Sequence, residues 1–367
     1  MKKVLIFGAG LIGGFIANQF SKKYEVIAYD GNIHNLSKLD AKITRVVRFV
    51  KNQDMYDTIV QDNPDIIVNA LPGYLGYNLL ETSISLGVNI VDISFMPENP
   101  LVLNERAIEN DVTAVVDFGF APGLSHMFVG RANKLLNKHE ESVIHVGGLQ
   151  LYSDDYKAVF SPIDVIQEYI RPARYLKDGE VKIELPFQTN HTYWLELLLG
   201  ISTNDILLSG FISDGLRTLL TTLDVPNIRE ITLRTADHFI FIRSLIENGF
   251  FKEEHLENTS KVLVDKWKMT EEDRDYSILE VRSKGAGKSI NHFMFDQYDE
   301  MTETHSMARV TGLPAVAMVE AVLEGKYTQK GVIPPEYVAQ NDEIYDFVVE
   351  YLQNYGIVII EGINTYG

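Results

Sequence analysis

The 367-residue chain has no cysteine. That single absence excludes a disulfide scaffold, a thiolate zinc site, iron–sulfur ligation and a cysteine nucleophile. Basic residues are also scarce: 33 Lys and Arg stand against 51 Asp and Glu, a formal net charge of −18. A surface of that sign repels nucleic-acid phosphates and anionic lipid, so neither is an expected partner. Uninterrupted apolar runs of the length of a membrane span, roughly 18 to 20 residues, are missing, and Met1-Lys2-Lys3 leads directly into a short apolar run and a glycine-rich turn. A soluble, cytoplasmic protein is the expectation. Nine histidines are present without an H-E-x-x-H pattern or a tight cluster with acids, so no metal site is expected. No G-x-S-x-G elbow marks a serine hydrolase.

What is present is ample apolar material, 46% of residues, in a chain long enough for two to three domains at about 150 residues each. Up to residue 118, six short β-branched runs alternate with stretches of helical period. The strand candidates are Val4–Phe7, Glu25–Tyr29, Ile43–Val47, Asp65–Asn69, Val88–Val91 and Thr113–Val116. The pattern predicts an α/β fold: a Rossmann-type, doubly wound parallel sheet. After Gly119 the pattern becomes α+β, as for a separate substrate or dimerisation domain. The expected division is a dinucleotide-binding domain over 1–122, an α+β domain over 123–305, and residues 306–367 packing back on the first domain. The charge-rich stretch from Phe251 to Asp275 reads as a solvated helix and loop.

The strongest motif is Val4-Leu5-Ile6-Phe7-Gly8-Ala9-Gly10-Leu11-Ile12-Gly13, an apolar strand entering G-x-G-x-x-G and then a helical stretch. Gly8 permits the tight turn, Gly10 lets backbone approach a pyrophosphate, and Gly13 lets helix and strand pack closely. The N–H groups at the helix start, from Leu11 and Ile12 onward, bind the anion. Asp30, 22 positions after Gly8, ends the second strand, where its carboxylate can accept from ribose hydroxyls. The expected cofactor is therefore NAD, with Lys38 keeping NADP open. Gly285-Ala286-Gly287-Lys288-Ser289 ends like a phosphate-binding loop, but Arg282 stands where its first glycine belongs, so it reads as a hairpin turn.

Asp92 and Asp117 end strands at the carboxyl edge of the sheet, where open α/β folds bind ligands, and are candidate catalytic bases alongside turn-forming roles. His238, at the start of an apolar helix, is a candidate base or ligand alongside a capping role, and Arg234 could clamp a carboxylate through its forked donors.

Asp117-Phe118-Gly119-Phe120-Ala121-Pro122-Gly123-Leu124-Ser125-His126 resembles the junction motif of the saccharopine dehydrogenase-like oxidoreductases, especially their lysine 6-dehydrogenase branch. The resemblance extends to Asn69-Ala70-Leu71-Pro72-Gly73, which looks like the family's cofactor loop, and to Val91-Asp92-Ile93-Ser94. It continues through Ser161-Pro162 to Glu168-Tyr169, Asp214-Gly215-Leu216-Arg217, Thr232-Leu233-Arg234 to His238, and Ser306-Met307-Ala308-Arg309. It implies hydride transfer between a nicotinamide and a carbon bearing nitrogen, with Asn69, Ala70 and Leu71 at the cofactor, and with Arg234, Ser213 and Asp214 at an amino-acid or amine substrate. It also implies a homodimer or larger symmetric assembly. Two departures from the saccharopine-forming branch, Ala121 in place of an acid and Ser213 in place of an arginine, favour a smaller substrate such as free lysine. A saccharopine- or carboxynorspermidine-type reductase, and a non-catalytic NAD(P) sensor, are the competing readings.

Overall fold

The computed structural model describes residues 1–48, 52–151, 156–195, 206–270 and 272–365, in two compact units. Unit 1 comprises Met1–Lys134 and Ala308–Ile357; unit 2 comprises Leu135–Met307 and Val358–Gly367.

Unit 1 begins with the alternation that the apolar runs predict: β1 (Lys3–Phe7), α1 (Leu11–Phe20), β2 (Glu25–Asp30), α2 (Ile33–Ser37), β3 (Thr44–Val47), α3 (Asn52–Asp62) and β4 (Ile66–Asn69). It continues with α4 (Gly73–Ser85), β5 (Ile90–Asp92), a 3-10 turn at Pro100–Leu103, α5 (Asn104–Glu109), β6 (Thr113–Val115) and α6 (Leu124–Leu135). Unit 2 then supplies β7 (Glu141–Leu151), α7 (Pro162–Ile170), β8 (Ala173–Lys177), β9 (Glu180–Glu184), β10 (His191–Leu195), β11 (Ile206–Ile212), α8 (Leu219–Thr222) and β12 (Asn227–Thr235). There follow α9 (Ala236–Glu247), α10 (Glu253–Trp267), β13 (Arg274–Gly285) and β14 (Lys288–Gln297). The chain closes with α11 (Ser306–Leu323), β15 (Gly331–Ile333), α12 (Pro335–Val338), α13 (Asp342–Asn354) and β16 (Val358–Thr365).

The sheet of unit 1 is parallel throughout, in the order β15-β6-β5-β4-β1-β2-β3. Its direction of winding reverses between β1 and β4, which places a crevice at their carboxyl ends. Strand residues such as Leu5, Phe7, Ile67 and Ile90 are fully buried and pack with Leu79, Leu80 and Ile84 of α4, as a sheet covered on both faces requires. The sheet has a seventh strand, β15, which the sequence reading lacks: three residues ahead of Pro334 are too few to show a period.

Unit 2 is built on a nine-stranded mixed sheet, with β10-β11-β12-β7-β13-β14-β16 in line and the β8–β9 hairpin pairing with β12. All its pairings are antiparallel except β12 with β7. The turn at Gly285–Lys288 joins β13 and β14 as the hairpin expected there. Ile231 and Leu233 join one apolar cluster with Leu149 and Ile278, whereas Tyr169, Phe187, Phe211, Phe239 and Trp267 form another.

Three boundaries differ from expectation. Helix α6 belongs to unit 1, not to a domain starting at 123, because Gly130 packs so closely on the backbone of Glu336 that a Cβ would lie 2.4 Å from its carbonyl oxygen. The strand β16 belongs to unit 2, because it pairs with β14 along eight residues from Val358 to Thr365. The charge-rich stretch does form a helix, α10, but Leu263 and Trp267 turn one face into the aromatic core; Glu271 lies outside the described residues. Helix α11 is long and apolar enough by composition to span a membrane, yet 78% of it is buried inside the protein, as a core helix is.

Candidate active site

The turn between β1 and α1 shows why three glycines are needed. Gly8 adopts φ +92°, and a Cβ there would lie 2.3 Å from the carbonyl oxygen of Ala70. At Gly13 a Cβ would lie 2.0 Å from the oxygen of Gly8. Gly10 differs, because nothing comes within 4 Å of its would-be Cβ, and as N-cap of α1 it offers no side chain to the first-turn N–H groups. A helix start that is uncapped, approachable and preceded by an apolar strand is an anion site. Asp30 closes the turn from β2: Oδ2 accepts from Ala9 N at 2.7 Å and from Asn35 Nδ2 at 3.2 Å, and Oδ1 accepts from Asn32 N at 2.7 Å. Of the nearby cations, Arg48 donates to Thr58 Oγ1 at 2.9 Å and Arg45 donates to the Leu39 carbonyl. The open space at Gly10 and the carboxylate at the end of β2 fit a dinucleotide's pyrophosphate and ribose.

The loops after β4 and β5 abut this turn. Asn69 Nδ2 donates to Gly76 O at 3.0 Å and to Asp92 Oδ2 at 2.5 Å, and Leu71 N donates to Asn69 Oδ1 at 3.3 Å. Asp92 Oδ1 accepts from Ser94 N at 2.7 Å and from Ser94 Oγ at 2.6 Å. Asp92 is 0% exposed, and burial pushes its carboxyl up to about 7 despite these donors, with the charge of Asp117 adding to the rise. A group with no exposed surface and both oxygens engaged does not reach a substrate, so this geometry withdraws Asp92 as a catalytic base. Asp117, in the left-handed region at φ +54°, is also buried.

In unit 2, alternation along β12 sets the polar side chains apart. Glu230, Thr232 and Arg234 share the face opposite Ile231 and Leu233. Arg234, 1% exposed, donates from Nη2 to Glu168 Oε2 at 2.7 Å, from Nε to the Tyr169 hydroxyl at 3.1 Å, and from Nη1 to its neighbour's carbonyl at 2.9 Å. Burial acts against its charge, but Tyr156, Tyr169 and Glu168 more than offset that and raise its pKa, so it stays cationic. The Tyr169 hydroxyl also meets His238 Nε2 at 2.9 Å, and the Tyr156 ring stacks on the imidazole at 3.5 Å between centroids. Burial, aided by Arg234, holds His238 well below its ordinary pKa, so the ring is neutral at pH 7.

The structure thus brings Arg234 and His238 together through Tyr169. Ser213 and Asp214 are engaged elsewhere. Ser213 Oγ donates to Glu230 Oε1 at 2.9 Å and accepts from Thr232 Oγ1 at 2.9 Å, and Asp214 takes a bidentate pair from Arg174 at 2.8 and 2.9 Å. Sequence reasoning gave no role to Glu168, Tyr169, Ser94 or Glu230. The signal for Glu230 was the alternation of Glu230-Ile231-Thr232-Leu233-Arg234; burial pushes its carboxyl up to about 8. Glu168 lies in the stretch Ser161 to Tyr169 that carries the family resemblance, but no local pattern ties it to Arg234, which it reaches from 66 residues away.

Residues 4–115 match the family model described as the saccharopine dehydrogenase NADP binding domain, and residues 119–357 match the saccharopine dehydrogenase C-terminal domain. The chain belongs to the saccharopine dehydrogenase family. The cofactor of this family member is accordingly a nicotinamide dinucleotide, NAD(P). Among curated relatives, alpha-aminoadipic semialdehyde synthase, mitochondrial, of Rattus norvegicus is 27% identical over 194 residues, and its Mus musculus counterpart is 27% identical over 193. Those matches cover 49% of this chain, which spans about a fifth of either relative's length, 21%. The solved structure of apo saccharopine dehydrogenase (L-Glu forming) from Saccharomyces cerevisiae covers 100% of both chains with a TM-score of 0.77 at 16% identity, a likeness of fold.

Proposed function

We propose that this family member is an NAD-dependent amino-acid dehydrogenase that oxidatively deaminates a primary amine, with free lysine as the substrate, in the manner of lysine 6-dehydrogenases. The observation that carries the reading is the pair Arg234–Glu168. Its cation is sealed at 1% exposure, while the Glu168 side chain is half-buried, and burial raises its carboxyl above the ordinary value against the pull of Arg234. An approaching ligand meets a carboxylate with a guanidinium behind it, the complement of an amino acid's ammonium and carboxylate.

A nicotinamide dinucleotide held by the turn Gly8–Gly13 and Asp30 would supply the hydride acceptor for the amine-bearing carbon, the resulting imine being hydrolysed to an aldehyde and ammonium. Within unit 2, Glu168 would meet the ligand's ammonium group with Arg234 holding that carboxylate in place from behind, and Tyr169 with neutral His238 can hold or pass a proton at the phenolic oxygen. A second reading, reduction of an imine to a secondary amine such as saccharopine, is favoured by the match to the semialdehyde synthases. Initial rates of coenzyme reduction over lysine, ornithine, other amino acids, polyamines and saccharopine separate the two. Turnover with lysine is expected. Turnover confined to saccharopine would select the second reading, and coenzyme binding without turnover on any of them would contradict both.

The choice of NAD over NADP rests on Asp30. A 2′-phosphate would meet its carboxylate, with Arg45 and Arg48 already committed to Leu39 and Thr58. Like charges so placed cost at least 1.4 kcal/mol, hence NADH is expected to bind about tenfold or more tightly than NADPH in a fluorescence titration. Tighter binding of NADPH would overturn the assignment.

A further inference from the structure

Asp92, Ser94, Asn69 and Gly76 form one closed network inside unit 1, at the point where two loops meet the glycine turn. Asp92 ends β5, Ser94 lies in the loop after it, Asn69 ends β4, and Gly76 lies in the first turn of α4. Asn69 spans the two segments, its amide donating to Asp92 Oδ2 at 2.5 Å and to Gly76 O at 3.0 Å while its own oxygen accepts from Leu71 N at 3.3 Å. The loops have no slack. A Cβ on Gly76 would lie 2.1 Å from Ser94 Oγ, and one on Gly73 would lie 2.0 Å from Phe95 O. The same loop limits the glycine turn, since the Ala70 oxygen is what a Cβ on Gly8 would strike and the Ala70 amide donates to Phe7 O at 2.8 Å. Each contact to Asp92 is a donor aimed at a carboxylate oxygen, from Ser94 N, Ser94 Oγ and Asn69 Nδ2. The arrangement is satisfied by the ionised acid; a proton on Oδ2 would face the Asn69 amide donor to donor.

From this geometry we infer that Asp92 is a positioning residue for the coenzyme: its carboxylate clasps the loop Asn69–Gly73 against the glycine turn, and protonating it releases the clasp and weakens dinucleotide binding. The groups around the carboxylate set the sign. Burial raises the pKa to about 7, Ser94 and Asn69 oppose the rise, and Asp117, following β6, adds to it as a like charge, while α4 presents the neutral Gly76. Coenzyme binding that requires the ionised clasp releases a proton below that pKa, so affinity falls as pH drops through about 7 and is level above it.

The test is the dissociation constant of NADH, read from nicotinamide fluorescence without substrate between pH 5.5 and 8.5 (~three pH units around the carboxyl pKa). In the wild-type protein it is expected to weaken below the break and to level off about tenfold weaker, at the affinity of the protonated form. In Asp92→Asn the amide cannot accept from both loops, so binding is expected to be about tenfold weaker and level across the range. In Ser94→Ala the ionised carboxylate loses the Oγ donor, so the break is expected to move to higher pH, a readout that a purely structural role does not produce and one that survives if Asp92→Asn fails to fold. A wild-type constant and an unmoved break in either variant would overturn the inference. Because no substrate is involved, that failure is distinct from a failure of the lysine reading.

Discussion

Replacing Gly10 by alanine is expected to weaken NADH binding about a hundredfold, or ~2.7 kcal/mol, while leaving the free protein's stability within about 1 kcal/mol of wild type. The reason is spatial. Beyond the residue and its neighbours along the chain, no atom of the protein lies within 4 Å of the added methyl group, and Gly10 has φ −64°, which alanine adopts without strain. The methyl group intrudes only on a pyrophosphate approaching the start of α1. The identical change at Gly13 sets the methyl carbon 2.0 Å from the Gly8 oxygen and 3.0 Å from Ala70 Cβ, both held by a parallel sheet, and is expected to cost about 3 kcal/mol or more of stability. Fluorescence titration and thermal unfolding of the two variants separate these outcomes. Wild-type NADH affinity in Gly10→Ala would mean that the turn does not seat the dinucleotide.

The second large effect concerns the buried pair of unit 2. Glu168→Ala strands a guanidinium that is 1% exposed among neutral phenols, aromatic rings and a carbonyl, and is expected to destabilise by about 3 kcal/mol. Arg234→Met leaves behind a half-buried Glu168 whose carboxyl, already raised by burial, can take up a proton, so its cost is expected to be smaller although it removes the larger side chain. Both should lower kcat/KM for lysine by about a hundredfold, because Glu168 meets the ammonium group and Arg234 holds Glu168 in place. Chemical denaturation gives the order of stabilities. Equal stability loss in the two variants would show that the pair is not asymmetric in the way its burial implies. Full activity in either would remove it from substrate binding.

The sequence made unit 1 legible because parallel strands buried on both faces leave apolar runs, and because Gly8 and Gly13 of the first turn each have a steric cause. Asp30 was legible for the same reason: the position follows from the length of one β-α-β unit. Strand β15 was not, since its three residues gain their strand character from pairing with β6 rather than from any period. The boundary after α6 was hidden because its apolar residues look alike whichever unit they pack against. Only the closeness of Gly130 to Glu336 settles it. In the candidate site, Arg234 and His238 stood out as charged or titratable residues in an apolar setting. Their partner Glu168 sits on α7, and only the packing of that helix over β12 brings the two together. Asp92 shows the opposite limit. A strand-end aspartate reads equally as base or turn former, and its three donors, one of them from a residue 23 positions away, decide between the two.

The measurement that tests the central claim most directly is the ratio of ammonium released to coenzyme reduced when the protein turns over lysine with NAD. Oxidative deamination of a primary amine predicts one ammonium for each NADH. Coenzyme reduction that depends on saccharopine and yields glutamate with no ammonium would contradict it.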